Sequence, residues 1–228
     1  MANGGAFEDA VRLARETPGL DVGCHLVLVQ GRSLLTGQPL PEGPRHLLAA
    51  LAERKLDVYA ELRLQIEKIL SVGISPTHLD THKHTHLVPQ IFRAVVRLAD
   101  EFSIPYVRLP LDTTVRFARW PCALGSRYFR RIARSYNVKM TDHFLGFRLT
   151  GSLTEESFLT ILTTLAEGTT EFMCHPGYLG PELRQARTRL KESRVLELEA
   201  LTSERVRRLL DESGVHLGPF RSSREPAP

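Results

Sequence analysis

The chain has few of the residues that build covalent or membrane-spanning scaffolds. Its 228 residues include three cysteines and one tryptophan. Cys24, Cys122 and Cys174 make no disulfide framework, which fits a reducing compartment. No apolar run approaches the roughly 20 residues that cross a bilayer, and the opening residues do not read as a signal peptide. A cytoplasmic protein is therefore expected. Internal repeats and low-complexity linkers are absent too. Charge is nearly balanced, with 30 Lys and Arg against 26 Asp and Glu for a net +4. Without a nucleic-acid motif, that small excess argues for no nucleic-acid partner. What is present, 42% hydrophobic and 25% charged residues, is the composition of an ordinary globular domain with a sizeable core.

Along the chain, apolar periodicity alternates between helix and strand. An amphipathic helix is predicted over Ala6 to Glu16, ended by Pro18-Gly19, and then a buried strand from Leu20 to Val29. His25 interrupts that strand, either as a core histidine bonded to backbone or as a ligand presented on a strand. Breakers make 30–46 a loop, followed by helices over 45–54 and 58–72, the second with Leu62, Ile66, Ile69 and Leu70 as its stripe. Pro89 starts a helix to about Phe102, and 104–109 reads as a short strand containing Arg108. A strand is expected at 143–147, and Ser152 with Glu155 has capping-box spacing for a helix to about Ala166. Another strand runs over 170–175, then helices near 194–200 and 203–212, and a last strand around His216. The expectation is a single α/β domain over 1–221 with a mainly parallel sheet, and a disordered tail at 222–228.

Residues 115–139 interleave arginines with Phe117, Trp120, Tyr128, Phe129 and Tyr136. Such a helix either packs in the core with a solvated basic face or lies on an anionic membrane surface. Cys24 and Cys174 each precede a histidine, and read as small buried hydrophobes or as metal or redox groups.

The densest chemistry lies in Thr77-His78-Leu79-Asp80-Thr81-His82-Lys83-His84-Thr85-His86, which holds four of the nine histidines. On a strand, His78, Asp80, His82, His84 and His86 share one face. In a helix, the pairs His78/His82 and His82/His86 meet instead. Either geometry gathers imidazoles and a carboxylate, the ligands and proton carriers of metal-assisted hydrolysis; a solvated polar strand is the alternative. His25, His82 and His175 all sit on strands or where a strand meets a loop, the places where functional groups converge in parallel α/β proteins.

Three motifs carry a resemblance: Gly23-Cys24-His25-Leu26, Pro76 to His86, and Glu171-Phe172-Met173-Cys174-His175-Pro176-Gly177. Together they resemble the YdjC-like carbohydrate deacetylases, which include chitooligosaccharide and hopanoid-biosynthesis-associated deacetylases. The likeness extends to Leu201-Thr202-Ser203, and Asp142-His143-Phe144-Leu145-Gly146 leans towards the hopanoid branch. The resemblance implies a distorted (β/α) TIM-like barrel that removes acetyl groups from N-acetylated sugars. It implies a divalent metal, usually magnesium, held by an aspartate and two histidines, which match His25 and His82. His175 matches the histidine that protonates the leaving amine or steadies the oxyanion. His78, Asp80, His86 and Arg108 then stand behind the ligands or face substrate, His84 has no role, and His46, His143 and His216 are structural. An imidazole-rich site suits Zn²⁺ better than Mg²⁺, so the metal stays open. Expected partners are an N-acetylated sugar or glycolipid, a membrane surface touched through 115–139, and a second copy in a homodimer.

One family feature has no match here: the opening strand with an Asn-Ala-Asp-Asp-Phe-Gly type motif, source of the metal aspartate and the basic aspartate. Met1-Ala2-Asn3-Gly4 looks like the end of the family's second strand. The expectation is a natural protein longer by one β-α-β unit, roughly 30 to 40 residues, with this chain inactive or poorly folded. The competing functions are a non-catalytic sugar- or lipid-binding remnant and, lowest, metal storage.

Overall fold

Three short strands form a parallel sheet, each at a place where apolar residues alternate with groups that face a site. The computed structural model describes residues 1–113 and 119–221. The tail expected at 222–228 and the first part of the basic stretch, 115–118, lie outside the described residues. The chain divides into two compact units, one built on Met1–Leu111, Trp120–Met140 and a return from Gly218, the other on Thr141–Leu217 with Asp112–Arg119.

In the first unit, α1 (Phe7–Glu16) precedes β1 (Cys24–Leu26), and α2 (Pro44–Ala52) and α3 (Val58–Ser71) lead to β2 (His78–Thr81). Next, α4 (Pro89–Glu101) leads to β3 (Tyr106–Val107). The sheet order is β1-β2-β3, all parallel, with His25 beside Asp80 and His78 beside Tyr106 in register. Asp57 caps α3 by accepting from the Ala60 N–H at 3.0 Å, and Leu62 and Ile66, one turn apart, are wholly buried. α4 opens on Pro89 and buries Ile91, Phe92, Val95, Val96, Leu98 and Ala99 in the same core. α5 (Arg119–Arg134) buries Phe129 and Ala133, spaced i, i+4, and leaves Arg127, Arg131 and Arg134 exposed. Its described part therefore packs on the core with a solvated basic face.

The predicted strand from Leu20 to Val29 shortens to Cys24–Leu26 for a specific reason. At Val27 the side-chain amide of Gln65 replaces a neighbouring strand: its Oε1 accepts the Val27 N–H and its Nε2 donates to the Val27 carbonyl, both at 2.8 Å. One turn earlier on α3, Glu61 accepts from Ser33 Oγ at 2.6 Å and from the Leu34 and Leu35 N–H groups at 3.1 Å. Both side chains are wholly buried and hydrogen-bonded, as buried polar groups must be. They pin the loop that carries Gln30.

In the second unit, β4 (His143–Leu145) pairs in parallel with β5 (Thr170–Phe172), with α6 (Glu155–Leu162) between them in the chain. α7 (Pro181–Gln185), α8 (Glu192–Thr202) and α9 (Glu204–Ser213) follow. Leu153, Phe158, Leu162, Val206 and Leu210 form its core. The capping box sits at Thr154 and Ser157, not at Ser152 and Glu155: Ser157 Oγ accepts the Thr154 N–H at 2.9 Å and Thr154 Oγ1 the Ser157 N–H at 3.3 Å. Glu155 is drawn away to Ser203 and to Arg205, 2.7 Å from the guanidinium. α6 stops at Leu162 because Thr163 and Thr164 turn their hydroxyls onto carbonyls of the last turn. No strand forms around His216. Gly214 ends α9 in the left-handed region at φ 69°, and Leu217 is 80% exposed, so no apolar face is there to pair.

The α/β class and parallel pairing are as expected. The sheets of the described residues are small and open, three strands and two, and do not close into a barrel.

Candidate active site

The histidine segment starts as the strand and then leaves it for a kinked turn. β2 runs only to Thr81, and a 3-10 segment over His82–Leu87 follows. Lys83 and His84 lie in the left-handed region at φ 52° and 50°, conformations that non-glycine residues adopt at a cost and that cluster at functional sites. His82 directly follows β2, two residues on from Asp80 and so on the same side as His25, and it meets His25 there before the turn begins.

Pairing of β1 with β2 sets His25 beside Asp80, and Asp80 Oδ1 lies 2.8 Å from His25 Nδ1. The other Asp80 oxygen accepts from Arg108, placed by the residue after β3. Burial opposes ionisation of Asp80, but His25 and Arg108 outweigh it and hold the carboxyl well below the usual range. Asp80 is therefore an anion fully used by two partners, and it fixes the proton of His25 on Nδ1.

His25 Nε2 points inward to His82 Nδ1 at 3.3 Å, and His82 Nε2 lies 3.3 Å from Gln30 Oε1. The Asp80 carboxylate can only accept, so His25 carries its proton on Nδ1 and turns the Nε2 lone pair towards His82, whose Nδ1 can donate to it or offer a second lone pair. In the first tautomer of His82 the contact is a hydrogen bond, and in the second it is two facing lone pairs that a cation would bridge. Two imidazole nitrogens each about 2.1 Å from a shared cation, at about 90–110°, stand about 3.0–3.4 Å apart, and 3.3 Å falls in that range. The donor set thus fits a divalent metal in part: among the described residues no group of three His, Cys, Asp or Glu assembles to complete it.

The other residues of the segment serve different ends. His86 is wholly buried, with Nδ1 2.6 Å from Thr81 Oγ1 and its backbone N–H donating to the same hydroxyl at 3.0 Å. Burial first, then His84, lowers its pKa to about 3, so it is neutral at pH 7. Its Nε2 finds no hydrogen-bond partner among the described residues. His78 stands at the amino end of β2, stacked on Phe220 with ring centroids 4.2 Å apart and 3.1 Å from Thr77 Oγ1. Its partners are Thr77 and Phe220, not His25 or His82. Gly23 lies against its ring. Cys24 is wholly buried, and burial pushes its thiol up to about 12, which makes it a packing residue with no thiolate at neutral pH.

In the second unit, His175 follows β5 on an anchored loop. The backbone N–H of His175 donates to Glu197 of α8, and Arg194 Nη1 donates to the His175 carbonyl at 3.3 Å. Gly177 N–H reaches the Arg194 carbonyl at 3.1 Å. The ring of Tyr178, next in the chain, is 85% exposed.

Gln30 and Glu197 are the site residues that sequence patterns pass over. Gln30 lies in a loop with no periodicity, though at φ 64° it occupies an unusual conformation. Glu197 had one signal, a lone carboxylate in an apolar run, Leu196-Glu197-Leu198, three residues from the buried Ala200.

The chain matches, over residues 1–212, the family profile described as YdjC-like protein. A carbohydrate deacetylase of Geobacillus stearothermophilus is 33% identical over 226 residues, covering 97% of this chain and 83% of that protein. A chitooligosaccharide deacetylase of Salmonella typhimurium is 33% identical over 230 residues, covering 96% and 84%. A crystal structure from Enterococcus faecalis V583, named for cellobiose-phosphate cleavage, superposes with a TM-score of 0.78 at 21% identity over 98% of this chain and 85% of that one. At that identity it speaks to the fold alone.

Proposed function

The chain belongs to the YdjC-like protein family, and on that footing we propose that it is a metal-dependent hydrolase removing the acetyl group from an N-acetylated sugar. The observation that carries the reading is the facing pair His25 Nε2 and His82 Nδ1, 3.3 Å apart, with Asp80 on the outer nitrogen of His25 and Gln30 Oε1 beside that of His82. Relatives named carbohydrate and chitooligosaccharide deacetylases at 33% identity support it.

In this reading His25 and His82 hold a divalent cation. When bound, such an ion lowers the pKa of its water and polarises the acetamide carbonyl. Two nitrogen donors favour Zn²⁺ over Mg²⁺, which prefers oxygen, so the metal is a matter for titration. Asp80 keeps His25 in the ligating tautomer, and Arg108 keeps Asp80 ionised and in place. His175 passes a proton to the departing amine nitrogen and becomes neutral. The flat face of Tyr178 offers an apolar surface for a sugar ring. A (β/α)-barrel arrangement of the strands belongs to the same reading.

A hopanoid glycolipid is the finer substrate proposal, with the exposed arginines of α5 touching an anionic membrane. No helix among the described residues is long and apolar enough to cross a membrane. Salt-sensitive sedimentation of the protein with anionic vesicles supports a lipid substrate; binding indifferent to salt removes that support.

The test is acetate release from N-acetylated chitooligosaccharides with and without a chelator. Release that stops with chelator and returns with added cation supports the enzyme. Sugar binding without release, at every cation tried, favours the binding remnant.

A further inference from the structure

We propose that Glu197 is the positioning residue of His175, holding both its loop and the charged form of its imidazole. What His175 does chemically rests on the deacetylase reading above; the pairing itself does not.

Glu197 projects from α8 into the second unit and is 1% exposed. One of its oxygens, Oε2, accepts the His175 backbone N–H and also lies 3.9 Å from His175 Nδ1. The other, Oε1, is buried without a hydrogen-bond partner. A buried carboxylate with an unpaired oxygen is costly unless a cation stands close by. Arg194, one turn back on α8, does not serve: its Nε and Nη1 donate to the carbonyls of Leu190 and His175 at 3.2 and 3.3 Å. On the elements packed against α8, Glu155 and Glu156 of α6 are both engaged by Arg205 of α9, at 2.7 Å. On β5 itself, Glu171 is buried four residues before His175. Among the described residues, His175 is the cation-forming group within ion-pair range of Glu197.

Two consequences follow from one contact. The backbone bond fixes where the loop leaves β5, which sets the height of the ring. The carboxylate, in a low-dielectric setting, favours the imidazolium over the neutral ring. A general acid must be protonated before it acts, so such a carboxylate keeps His175 charged at a pH where an isolated imidazole is mostly neutral. The arrangement parallels the carboxylate behind His25, with the opposite result. There the histidine is kept as a lone-pair donor, and here as a proton donor.

The test is a pH titration of the His175 ring by NMR in the full chain, its signals assigned by their loss in His175→Asn. Glu197→Gln keeps an oxygen to accept the backbone N–H and removes only the charge. The expected result is an about tenfold lower proton affinity of His175, one pKa unit, with the far-UV circular dichroism unchanged. Titration of His175 within twofold of wild type in folded Glu197→Gln overturns the proposal. Should that variant not fold, Glu197→Asp withdraws the carboxylate by one methylene, and an unchanged titration there overturns it equally. In acetate-release kinetics, Glu197→Gln should lower kcat about tenfold or more with KM nearly unchanged, and Glu197→Asp should recover part of it. An undiminished kcat beside a shifted titration also refutes the positioning role. A wild type that releases no acetate counts against the deacetylase reading, while the titration still decides the pair.

Discussion

Replacing Asp80 with Asn tests whether the carboxylate governs the chemistry of His25. The substitution keeps volume and one acceptor oxygen, and turns the other oxygen into an NH₂ donor. Arg108 can only donate, so it retains the oxygen, and the NH₂ is left facing His25 Nδ1. His25 must then present a lone pair on Nδ1 and carry its proton on Nε2, the atom that faces His82 at 3.3 Å. A protonated Nε2 cannot ligate. Loss of a carboxylate behind a metal-binding histidine typically costs 10- to 100-fold in metal affinity, about 1.4–2.7 kcal/mol, and tautomer inversion points to the upper end. Stability falls too, because Asp80 is 6% exposed and Arg108 loses its counter-charge. Breaking a buried pair from one side costs about 3–5 kcal/mol; the neutral oxygen that remains reduces this to about 2–3 kcal/mol. For a chain of this size that lowers Tm by about 5–10 °C. Calorimetric titration with Zn²⁺ and Mg²⁺, and thermal melts with and without cation, read both effects. Asp80→Asn that binds cation within twofold of wild type and melts at the same temperature would refute the reasoning.

Other perturbations probe separate links. Gln30→Ala removes the oxygen that faces the outer nitrogen of His82, and cation affinity should drop severalfold with Tm nearly unchanged; an unaltered isotherm dismisses Gln30 as an orienting group. In Gly23→Ala the new methyl would overlap the His78 ring at Nε2, so the ring must leave its stack on Phe220. Overpacking of this kind costs about 1–3 kcal/mol, and a melt within a degree of wild type would contradict it. His86 has a folded pKa lowered to about 3, so its stabilising share is complete above the unfolded value near 6.5 and is lost as pH falls. Between about pH 6.5 and 4.5 denaturant midpoints should decline, by up to about 1.4 kcal/mol per unit. Asp80 does not contribute there, since its share is lost only below the unfolded carboxylate range near pH 4. Burial of His78 acts in the same direction as His86. His86→Gln should flatten most of the slope, and an unchanged slope would show that the proton binds elsewhere.

How much was legible beforehand follows the physical range of each signal. Helices α3 and α4 were readable because a stripe such as Leu62, Ile66 and Ile69 is a local property of one face. The β1 register was readable only in part, since Gln65, far along the chain, ends the strand by taking the backbone of Val27. The histidine segment was visible as chemistry but not as shape. Alternation places His82 on the face of Asp80 and His25, but could not foresee two left-handed residues at Lys83 and His84, which end the pattern after His82. The capping box moved from Ser152 to Thr154 because Glu155 had a stronger partner in Arg205, fifty positions later. Gln30 gave no signal and Glu197 only a faint one for the same reason: each acts through a contact across sequence, from a residue type that loops and helices use everywhere.

The central claim is that His25 and His82 share a cation on which sugar deacetylation depends. The most direct measurement is acetate release from an N-acetylated chitooligosaccharide by the wild type and by His82→Ala, before chelation, after it, and after cation is restored. Release by the wild type that is lost with chelator, recovered with cation and absent throughout in His82→Ala is the expected result. Release that persists in chelator, or in His82→Ala at the wild-type rate, would contradict the claim.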